Sequence, residues 1–248
     1  MDDIITLDYG SGGKKTSALI DEIILPALGN GALNALGDGA ILDGALAFST
    51  DSFVVSPLFF PGGDIGKLSV CGTVNDLAMC GAEPKYLSLA LIIEEGLPTA
   101  DLRRIVASIK AAAEGAGVAV VTGDTKVVER GGADGVYINT AGVGEVPAGV
   151  ALSGANCQPG DVILVSGTLG DHGIAIMSQR EGLAFSSTIE SDAAPLNHLI
   201  ADVLAAAPGT RCFRDPTRGG LASTLNEFAQ ASGCLLYTSP SPRDGLLS

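Results

Sequence analysis

The central segment of the first half reads GTVNDLAMCGAEP and spans residues 72–84. Apolar residues recur through it and just before it at the spacing of one helix face, namely Val70, Val74 and Leu77. An α-helix brings residues three and four apart onto one side, so this pattern predicts a helix from Ile65 to Cys80 that packs against a core. We expect strands on either side of this helix, at residues 45–55 and 86–93.

The same helix carries residues of the kind that bind ligands. Asn75 and Asp76 place an amide and a carboxylate within the apolar pattern, and Gly72 lies one turn before Asp76. We expect the missing side chain at Gly72 to leave room for a ligand. A helix with a solvated polar edge explains the same residues, since structural carboxylates are common. The segment by itself leaves both interpretations open.

The elements around this helix define the fold class. A second helix is predicted from about Thr99, a suitable N-cap, and Gly115 and Gly117 should end it. Strands are predicted after it at residues 118–121 and 136–143. The resulting order, β-α-β-α-β-β, favours an α+β fold in which a mixed sheet carries helices on one face.

A stretch rich in glycine and proline divides the chain. It runs from Pro147 to Pro159 with little periodicity, so we place a domain boundary there. The predicted units are an N-terminal domain at residues 1–148, a partial C-terminal domain at residues 149–234 and a tail at residues 235–248. The second domain should contain a buried strand at residues 162–165. Its helices are predicted at residues 170–179, at residues 195–207 and after Gly220.

A glycine-rich turn lies near the N-terminus, between a predicted strand at residues 4–7 and a predicted helix that ends at Pro26 and Gly29. The turn consists of Gly10, Ser11, Gly12 and Gly13. Its backbone N–H groups, with Lys14 and Lys15 beside them, favour an anion such as phosphate. The spacing fits neither G-x-x-x-x-G-K-[ST] nor G-x-G-x-x-G, the common phosphate-binding patterns. A simple N-terminal turn explains the residues equally well.

The composition excludes several functional classes. The 248 residues carry 14 basic and 28 acidic side chains, and the net charge of −14 repels a nucleic-acid backbone, so we expect no nucleic-acid partner. The first residues lack the features of a signal peptide, and no apolar run reaches about 18 residues. We therefore expect a cytoplasmic protein without a membrane partner. The five cysteines lack zinc-ligand spacing and are expected to be reduced thiols.

Four aspartates lie at the ends of predicted elements or on the central helix. They are Asp38, Asp51, Asp76 and Asp124. Mg²⁺ takes one or two carboxylates and shares the rest of its shell with phosphates and water, so the set suits Mg-ATP better than a metal cage made of protein alone. Aspartate also caps turns and helices, which is the alternative explanation for each residue taken singly.

Five motifs together resemble one known family. They are Gly10–Gly13, Ser49–Ser52, Gly72–Pro84, Thr122–Val128 and Arg214–Leu221. In this order they resemble the HypE family of hydrogenase maturation factors, over the range from Asp8 to about Gly233. That family is related to aminoimidazole ribonucleotide synthetase, selenophosphate synthetase and thiamine-monophosphate kinase. The resemblance implies a two-domain PurM-like fold whose N-terminal domain binds ATP and forms a homodimer.

The resemblance also implies an activity, that of an ATP-dependent carbamoyl dehydratase, which is a lyase. In the family, HypF delivers a carbamoyl group to a C-terminal cysteine, and dehydration converts it to a thiocyanate. The HypC–HypD complex then receives the cyanide for the iron centre of [NiFe] hydrogenases. ATP activates the amide-type oxygen by phosphorylating it, so that phosphate leaves in place of hydroxide.

The same resemblance assigns roles to residues of this chain. The implied ligands of Mg-ATP are Asp38, Asp51, Asp76 and Asp124. The glycine-rich turn and Asn75 would lie near the nucleotide. Lys126 would lie beside the reacting thiocarbamate and stabilise its developing charge, which makes it the implied catalytic residue.

The chain departs from the family at its C-terminal end. The family tail with its terminal cysteine is absent, and residues 235–248 look like translated adapter sequence, although a short disordered tail fits their composition too. We therefore expect a C-terminally truncated chain that does not complete the reaction. A non-catalytic nucleotide-binding or dimerisation module is the alternative from another class. Selenophosphate synthetase would need a reactive cysteine before Cys71, and thiamine-monophosphate kinase would show Gly-Asp-Asp where this chain has Gly37-Asp38-Gly39.

Overall fold

The computed structural model describes residues 4–11, 13–182 and 189–236. Its N-terminal region is helical, with a 3-10 turn at Leu7–Gly10, α1 (Lys14–Leu19), a π-helical turn at Ile20–Ile24 and α2 (Leu25–Leu28). The strand predicted at residues 4–7 is therefore wrong, and Leu7 is 99% exposed rather than packed in a sheet. Pro26 does not end the helix, because it lies in the first turn of α2, where its missing N–H is tolerated.

Seven strands occur in the described part of the chain. They are β1 (Ala40–Leu42), β2 (Leu46–Phe53), β3 (Phe59–Phe60), β4 (Gly63–Asp64), β5 (Glu83–Glu94), β6 (Ala119–Val128) and β7 (Val136–Glu145). Five of them form one sheet in the order β1-β2-β7-β5-β6, and β3 pairs with β4. Within the large sheet β5 and β6 are parallel and the other neighbours are antiparallel. The predicted mixed sheet is confirmed.

Two helices pack against this sheet, α3 (Ile65–Met79) and α4 (Thr99–Ala116). α3 begins where the carboxylate of Asp64 accepts the backbone N–H of Lys67 at 2.9 Å, which satisfies one of the free donors of the first turn. Val70, Val74 and Leu77 are completely buried. The helix predicted from the spacing of these residues is confirmed, and the fold is α+β as expected.

The ends of α4 differ from the prediction in detail. Pro98 is the N-cap residue and Thr99 begins the helix, so the predicted capping role of Thr99 is wrong. Gly115 lies inside the last turn, and Gly117 ends the helix with φ of 72°, a left-handed conformation that glycine adopts without steric cost. Ile105 and Ile109 are buried in the core beneath the sheet.

The described part of the second half contains a 3-10 turn at Gly154–Asn156 and three α-helices, α5 (Asp171–Glu181), α6 (Asn197–Ala206) and α7 (Gly220–Ser232). The three α-helices confirm the helices predicted there. The strand predicted at residues 162–165 is wrong, because the backbone is irregular and Val162 and Leu164 are 81% and 88% exposed. A strand needs a neighbour for its backbone groups, and no described strand pairs with this segment.

The second half is attached to the first through α6. Ile200 of α6 packs with Ala78 and Met79 of α3, and the side-chain amide of Asn197 donates to the carbonyl of Ala116 at 2.9 Å. The predicted domain limits stay predictions, and residues 237–248 of the predicted tail lie outside the described residues. Within the described ranges, every helix is too short or too polar to cross a membrane.

Candidate metal centre

Three carboxylates from distant parts of the chain meet at one place. Asp38 precedes β1, Asp76 lies on α3, and Asp215 lies in the irregular segment before α7. Ligand oxygens from the three side chains lie within 4.8 Å of one another. Hard divalent cations such as Mg²⁺ prefer carboxylate oxygens. Asp38, Asp76 and Asp215 are named the acidic cluster below.

An arginine and a serine hold the acidic cluster in place. Arg214 Nη1 lies 2.7 Å from Asp38 Oδ1, while its Nη2 lies 2.8 Å from Glu227 Oε2 on α7. Ser49 Oγ, on β2, lies 2.7 Å from Asp76 Oδ2 and 3.1 Å from the carbonyl oxygen of Asp38. Two of the three carboxylates are thus oriented by side chains from other elements.

Burial gives the acidic cluster unusually high pKa values. It raises the pKa of Asp38 to about 7, that of Asp76 to about 8 and that of Asp215 to about 6. The charge of Asp215 raises the pKa of Asp38 and Asp76 further, whereas Arg214 lowers that of Asp38. One guanidinium, that of Arg214, faces these three carboxylates and Glu227, so the ionised cluster keeps an excess of negative charge. A divalent cation would neutralise that excess.

Asp51 lies beside the acidic cluster. Burial raises the pKa of its carboxyl group, and its charge raises the pKa of Asp76 and Asp215. The backbone N–H of Ser52 donates to Asp51 Oδ1 at 2.7 Å. The structure therefore brings the predicted residues Asp38 and Asp76 together, places Asp51 next to them and adds Asp215.

The other two residues singled out on α3 are engaged in packing. A Cβ atom at Gly72 would lie 2.7 Å from the ring of Phe53, so the missing side chain makes room for Phe53, and the expected ligand space is not there. Asn75 Nδ2 donates to the carbonyl of Ala194 at 3.1 Å, and its Oδ1 accepts the N–H of Leu196 at 2.8 Å. Asn75 therefore ties α3 to the second half, and its place near a nucleotide stays a prediction.

Asp124 and Lys126 lie on β6, at the edge of the sheet. Lys126 Nζ lies 2.7 Å from Asp124 Oδ2, and both side chains are about two-thirds exposed. The hydrogen bond from Lys126 lowers the pKa of Asp124. Asp124 is outside the acidic cluster. Its role as a metal ligand and the catalytic role of Lys126 stay predictions, and we name the two residues the edge pair.

The glycine-rich turn shows local contacts. Ser11 Oγ donates to the carbonyl of Asp8 at 2.7 Å, and Lys15 Nζ lies 2.8 Å from Asp8 Oδ2. Gly10, Ser11 and Gly13 are exposed, and Gly12 lies outside the described residues. The predicted contact of this turn with phosphate stays a prediction.

The sequence reasoning missed four residues of this site. They are Ser49, Arg214, Asp215 and Glu227. The first three stand inside motifs quoted above, Ser49–Ser52 and Arg214–Leu221, so the motifs themselves were the available signal. Nothing in the spacing of Asp38, Asp76 and Asp215 along the chain indicates that they meet.

Comparison with known proteins identifies the family of this chain. Residues 36–146 match the N-terminal domain of AIR synthase related proteins, and residues 158–240 match the C-terminal domain. Carbamoyl dehydratase HypE of Azotobacter vinelandii is 56% identical over 232 residues, which cover 92% of this chain and 68% of that protein. The chain belongs to the HypE family. It spans about two thirds of the length of the curated relatives it matches.

Two solved structures of HypE family members are also similar. One is a HypE–HypF complex, with a TM-score of 0.84 and 53% identity, covering 87% of this chain and 71% of that chain. The other is HypE in complex with ATP, with a TM-score of 0.74 and 52% identity, covering 92% and 69%. The resemblance to the HypE family and the two-domain PurM-like fold are confirmed. The matches favour HypE over the alternatives weighed above.

Proposed function

We propose that this chain carries the nucleotide site of an ATP-dependent carbamoyl dehydratase. The observation that carries the proposal is the acidic cluster of Asp38, Asp76 and Asp215, with its oxygens within 4.8 Å of one another. Relatives of this chain are named carbamoyl dehydratases, and one HypE was solved with ATP. The proposed substrate is a thiocarbamate on a C-terminal cysteine of the whole protein, and the product is a thiocyanate.

The acidic cluster fits Mg²⁺. Burial raises the pKa of all three carboxyl groups, and the negative charge of neighbouring carboxylates, Asp51 among them, raises it further, so each ionised form gains from a nearby cation. Asp38, Asp76 and Asp215 would hold the ion, with Asp51 beside them. A Mg²⁺ ion held by these residues would supply the positive charge that neutralises the phosphates of ATP.

The side chains of the protein prepare the site for that cation. The guanidinium of Arg214 holds Asp38 at 2.7 Å and favours its ionised form, and the hydroxyl of Ser49 orients Asp76. We retain Lys126 as the residue that stabilises charge on the thiocarbamate, because an ammonium group can stabilise a developing oxyanion. Its contact with Asp124 at 2.7 Å would open when substrate arrives. Asp124 and the glycine-rich turn are retained as contacts of the nucleotide.

We propose a homodimer formed through the first-domain sheet. β6 is an edge strand, and its Val120, Val121 and Val127 are 41%, 59% and 68% exposed. A second copy placed against this edge would cover the apolar side chains and enclose the edge pair.

Two further partners follow from the proposed reaction. HypF is the proposed carbamoyl donor, which is supported by the solved HypE–HypF complex of a relative 53% identical to this chain. The HypC–HypD complex is the proposed acceptor of the cyanide for a [NiFe] hydrogenase. These partners imply a cytoplasmic location.

Calorimetric titration with ATP, with and without Mg²⁺, tests the nucleotide site. Asp76→Asn keeps the shape of the side chain and removes its charge, so we expect Mg-ATP affinity to fall roughly tenfold or more, which is about 1.4 kcal/mol. Asp51→Asn should also weaken the binding of Mg-ATP. Asp202→Asn is the matched control, because Asp202 is exposed on α6. Unchanged affinity in Asp76→Asn, with a native circular dichroism spectrum, would contradict the proposed metal centre.

A further inference from the structure

Three of the five cysteines lie in one neighbourhood of the second half. Cys157 Sγ is 3.3 Å from Cys212 Sγ, although the two residues are 55 positions apart in the chain. Cys234 Sγ lies 3.5 Å from the carbonyl oxygen of Cys157. All three side chains are half-buried, and the thiols are free in the structure. Two sulfur atoms in direct contact need only a small movement to form a covalent bond.

The backbone on both sides of this contact is held by other interactions. The N–H of Ser153 donates to the carbonyl of Arg211 at 3.0 Å. The guanidinium of Arg211 lies 2.8 Å from the carboxylate of Asp161 and donates to Gln158 Oε1 at 3.0 Å. Cys157 lies between Ser153 and Gln158, and Cys212 follows Arg211. These contacts fix the backbone beside both cysteines, so the fold itself places the two thiols next to each other.

The contact is also close to the acidic cluster along the chain. Cys212 is two residues before Arg214, which holds Asp38, and three residues before Asp215. A covalent bond at Cys212 would fix the start of the segment that supplies Asp215. Among the described residues, the ligand atoms of Asp38, Asp76 and Asp215 lie close enough together to hold a metal ion, whereas those of the three cysteines do not. The thiols therefore do not form a second metal site.

We propose that Cys157 and Cys212 form a reversible disulfide. This bond would crosslink residues 212–215, which include Asp215, to the start of the second domain. The oxidant is a low-molecular-weight disulfide such as oxidised glutathione. One protein thiolate attacks a glutathione sulfur, forms a mixed disulfide and releases one glutathione. The second protein thiolate attacks the protein sulfur of that mixed disulfide and releases the other glutathione. Two protein thiols are oxidised, one glutathione disulfide is reduced to two thiols, and the two protons end on the released glutathione.

The two thiols should oxidise slowly near neutral pH. Burial, helped by the neighbouring Cys157, raises the pKa of Cys212 to about 12, so its nucleophilic thiolate form is scarce near neutral pH. Crosslinking should therefore be slow near neutral pH and faster in alkaline buffer. Intracellular disulfides are uncommon and often serve as redox-sensitive elements, which is the role proposed for this pair.

The test is to equilibrate the whole chain with mixtures of reduced and oxidised glutathione, quench with acid, alkylate under denaturing conditions and map the tryptic peptides. Trypsin places the three cysteines on separate peptides, residues 131–180, 212–214 and 219–243. We expect the peptides of Cys157 and Cys212 to become joined, with the loss of two hydrogen atoms, in oxidising mixtures. Dithiothreitol should separate them. A linkage from Cys234 to Cys157 instead, or full alkylation of both Cys157 and Cys212 in the most oxidising mixture, would overturn the proposal.

Two serine variants complete the test. Cys212→Ser should abolish the linkage, whereas Cys234→Ser, which removes the neighbouring thiol but keeps the pair, should retain it. The oxidised chain should also unfold at a higher temperature than the reduced chain, because the bond closes a long loop. That difference should vanish in Cys212→Ser and persist in Cys234→Ser. An oxidised chain with an unchanged unfolding temperature would refute the crosslinking role. None of these measurements depends on ATP or on the proposed activity.

Discussion

The acidic cluster and the edge pair use the same kind of residue in opposite ways. In the cluster, burial raises the pKa of Asp38, Asp76 and Asp215 to between about 6 and 8. In the edge pair, a hydrogen bond from Lys126 lowers the pKa of exposed Asp124. A carboxylate with its own cation in water has its charge already balanced. In the acidic cluster a single guanidinium, that of Arg214, faces three buried carboxylates and Glu227, so negative charge remains in excess and the cluster is the better candidate for a cation.

The largest difference in stability between the two regions should appear when the basic residue of each is removed. Arg214→Ala removes the partner of buried Asp38 and also frees Glu227, so we expect a loss of about 2–4 kcal/mol in the free energy of unfolding. Urea denaturation at pH 8 without Mg²⁺ measures it. If the free energy of unfolding did not change measurably, Arg214 would not stabilise the acidic cluster. The cluster would then not differ from the edge pair in this respect.

The packing behind the cluster should give the next largest effect. Gly72→Ala would place a methyl group 2.7 Å from the ring of Phe53, with Asp51 Oδ2 at 3.4 Å, and overpacking of this kind costs about 1–3 kcal/mol. Adding Phe53→Leu should recover part of that loss. The matched control is Gly115→Ala, because Gly115 lies in α4 with open space around its position, and alanine favours a helix. If Gly72→Ala did not change the free energy of unfolding, there would be room for a side chain at Gly72, and the close contact with Phe53 would be contradicted.

The pH dependence of stability should come from the acidic cluster and not from the exposed edge pair. The acidic cluster keeps protons that the unfolded chain loses above pH 4, so the stability linked to it is present below about pH 4 and is lost as pH rises to about 8. The slope is at most about 1.4 kcal/mol per pH unit for each group. Thermal unfolding from pH 5 to 8 should show this decline without Mg²⁺. Mg²⁺ should displace the protons, so its stabilising effect should grow with pH, and a flat profile for that effect would contradict the assignment.

The smallest effect on stability should come from the edge pair. Lys126→Ala removes an exposed ion pair, and such pairs often contribute nothing measurable to folding. We expect the urea denaturation curve to match that of the wild type. If the variant also leaves carbamoyl dehydratase activity of the whole protein unchanged, the proposed catalytic role of Lys126 is refuted. Lys126→Arg is the companion variant, because it keeps the charge and changes the geometry.

The sequence predicted the parts of the fold that local pattern determines. The spacing of Val70, Val74 and Leu77 was sufficient to place α3, because one buried face marks a helix wherever it packs. It was not sufficient at residues 162–165, where four apolar residues in a row resemble a strand but no described strand lies beside them. Strand formation depends on a neighbour that local sequence does not contain.

The candidate site was predicted in part for the same reason. The sequence pattern indicates Asp38 and Asp51 as acidic residues at element ends and Asp76 as one on the central helix, and the three lie close together in the structure. Asp215 was missed because its approach to Asp76 is a property of the folded chain. Gly72 was misinterpreted because the ring that fills its space belongs to Phe53 on another element.

Asn75 connects the position of Asp76 to the contact between the two halves of the chain. Its side chain makes two hydrogen bonds to the backbone of the second half, at Ala194 and Leu196, and the next residue on the same rigid helix is Asp76. Separating the halves would break both bonds, at a net cost of about 1–3 kcal/mol, and would carry Asp76 away from Asp215. Asn75 therefore helps to hold Asp76 beside Asp215 in the acidic cluster. Variants at Asn75 should therefore weaken nucleotide binding through the placement of Asp76, in addition to any contact of Asn75 with the nucleotide that the family resemblance implies.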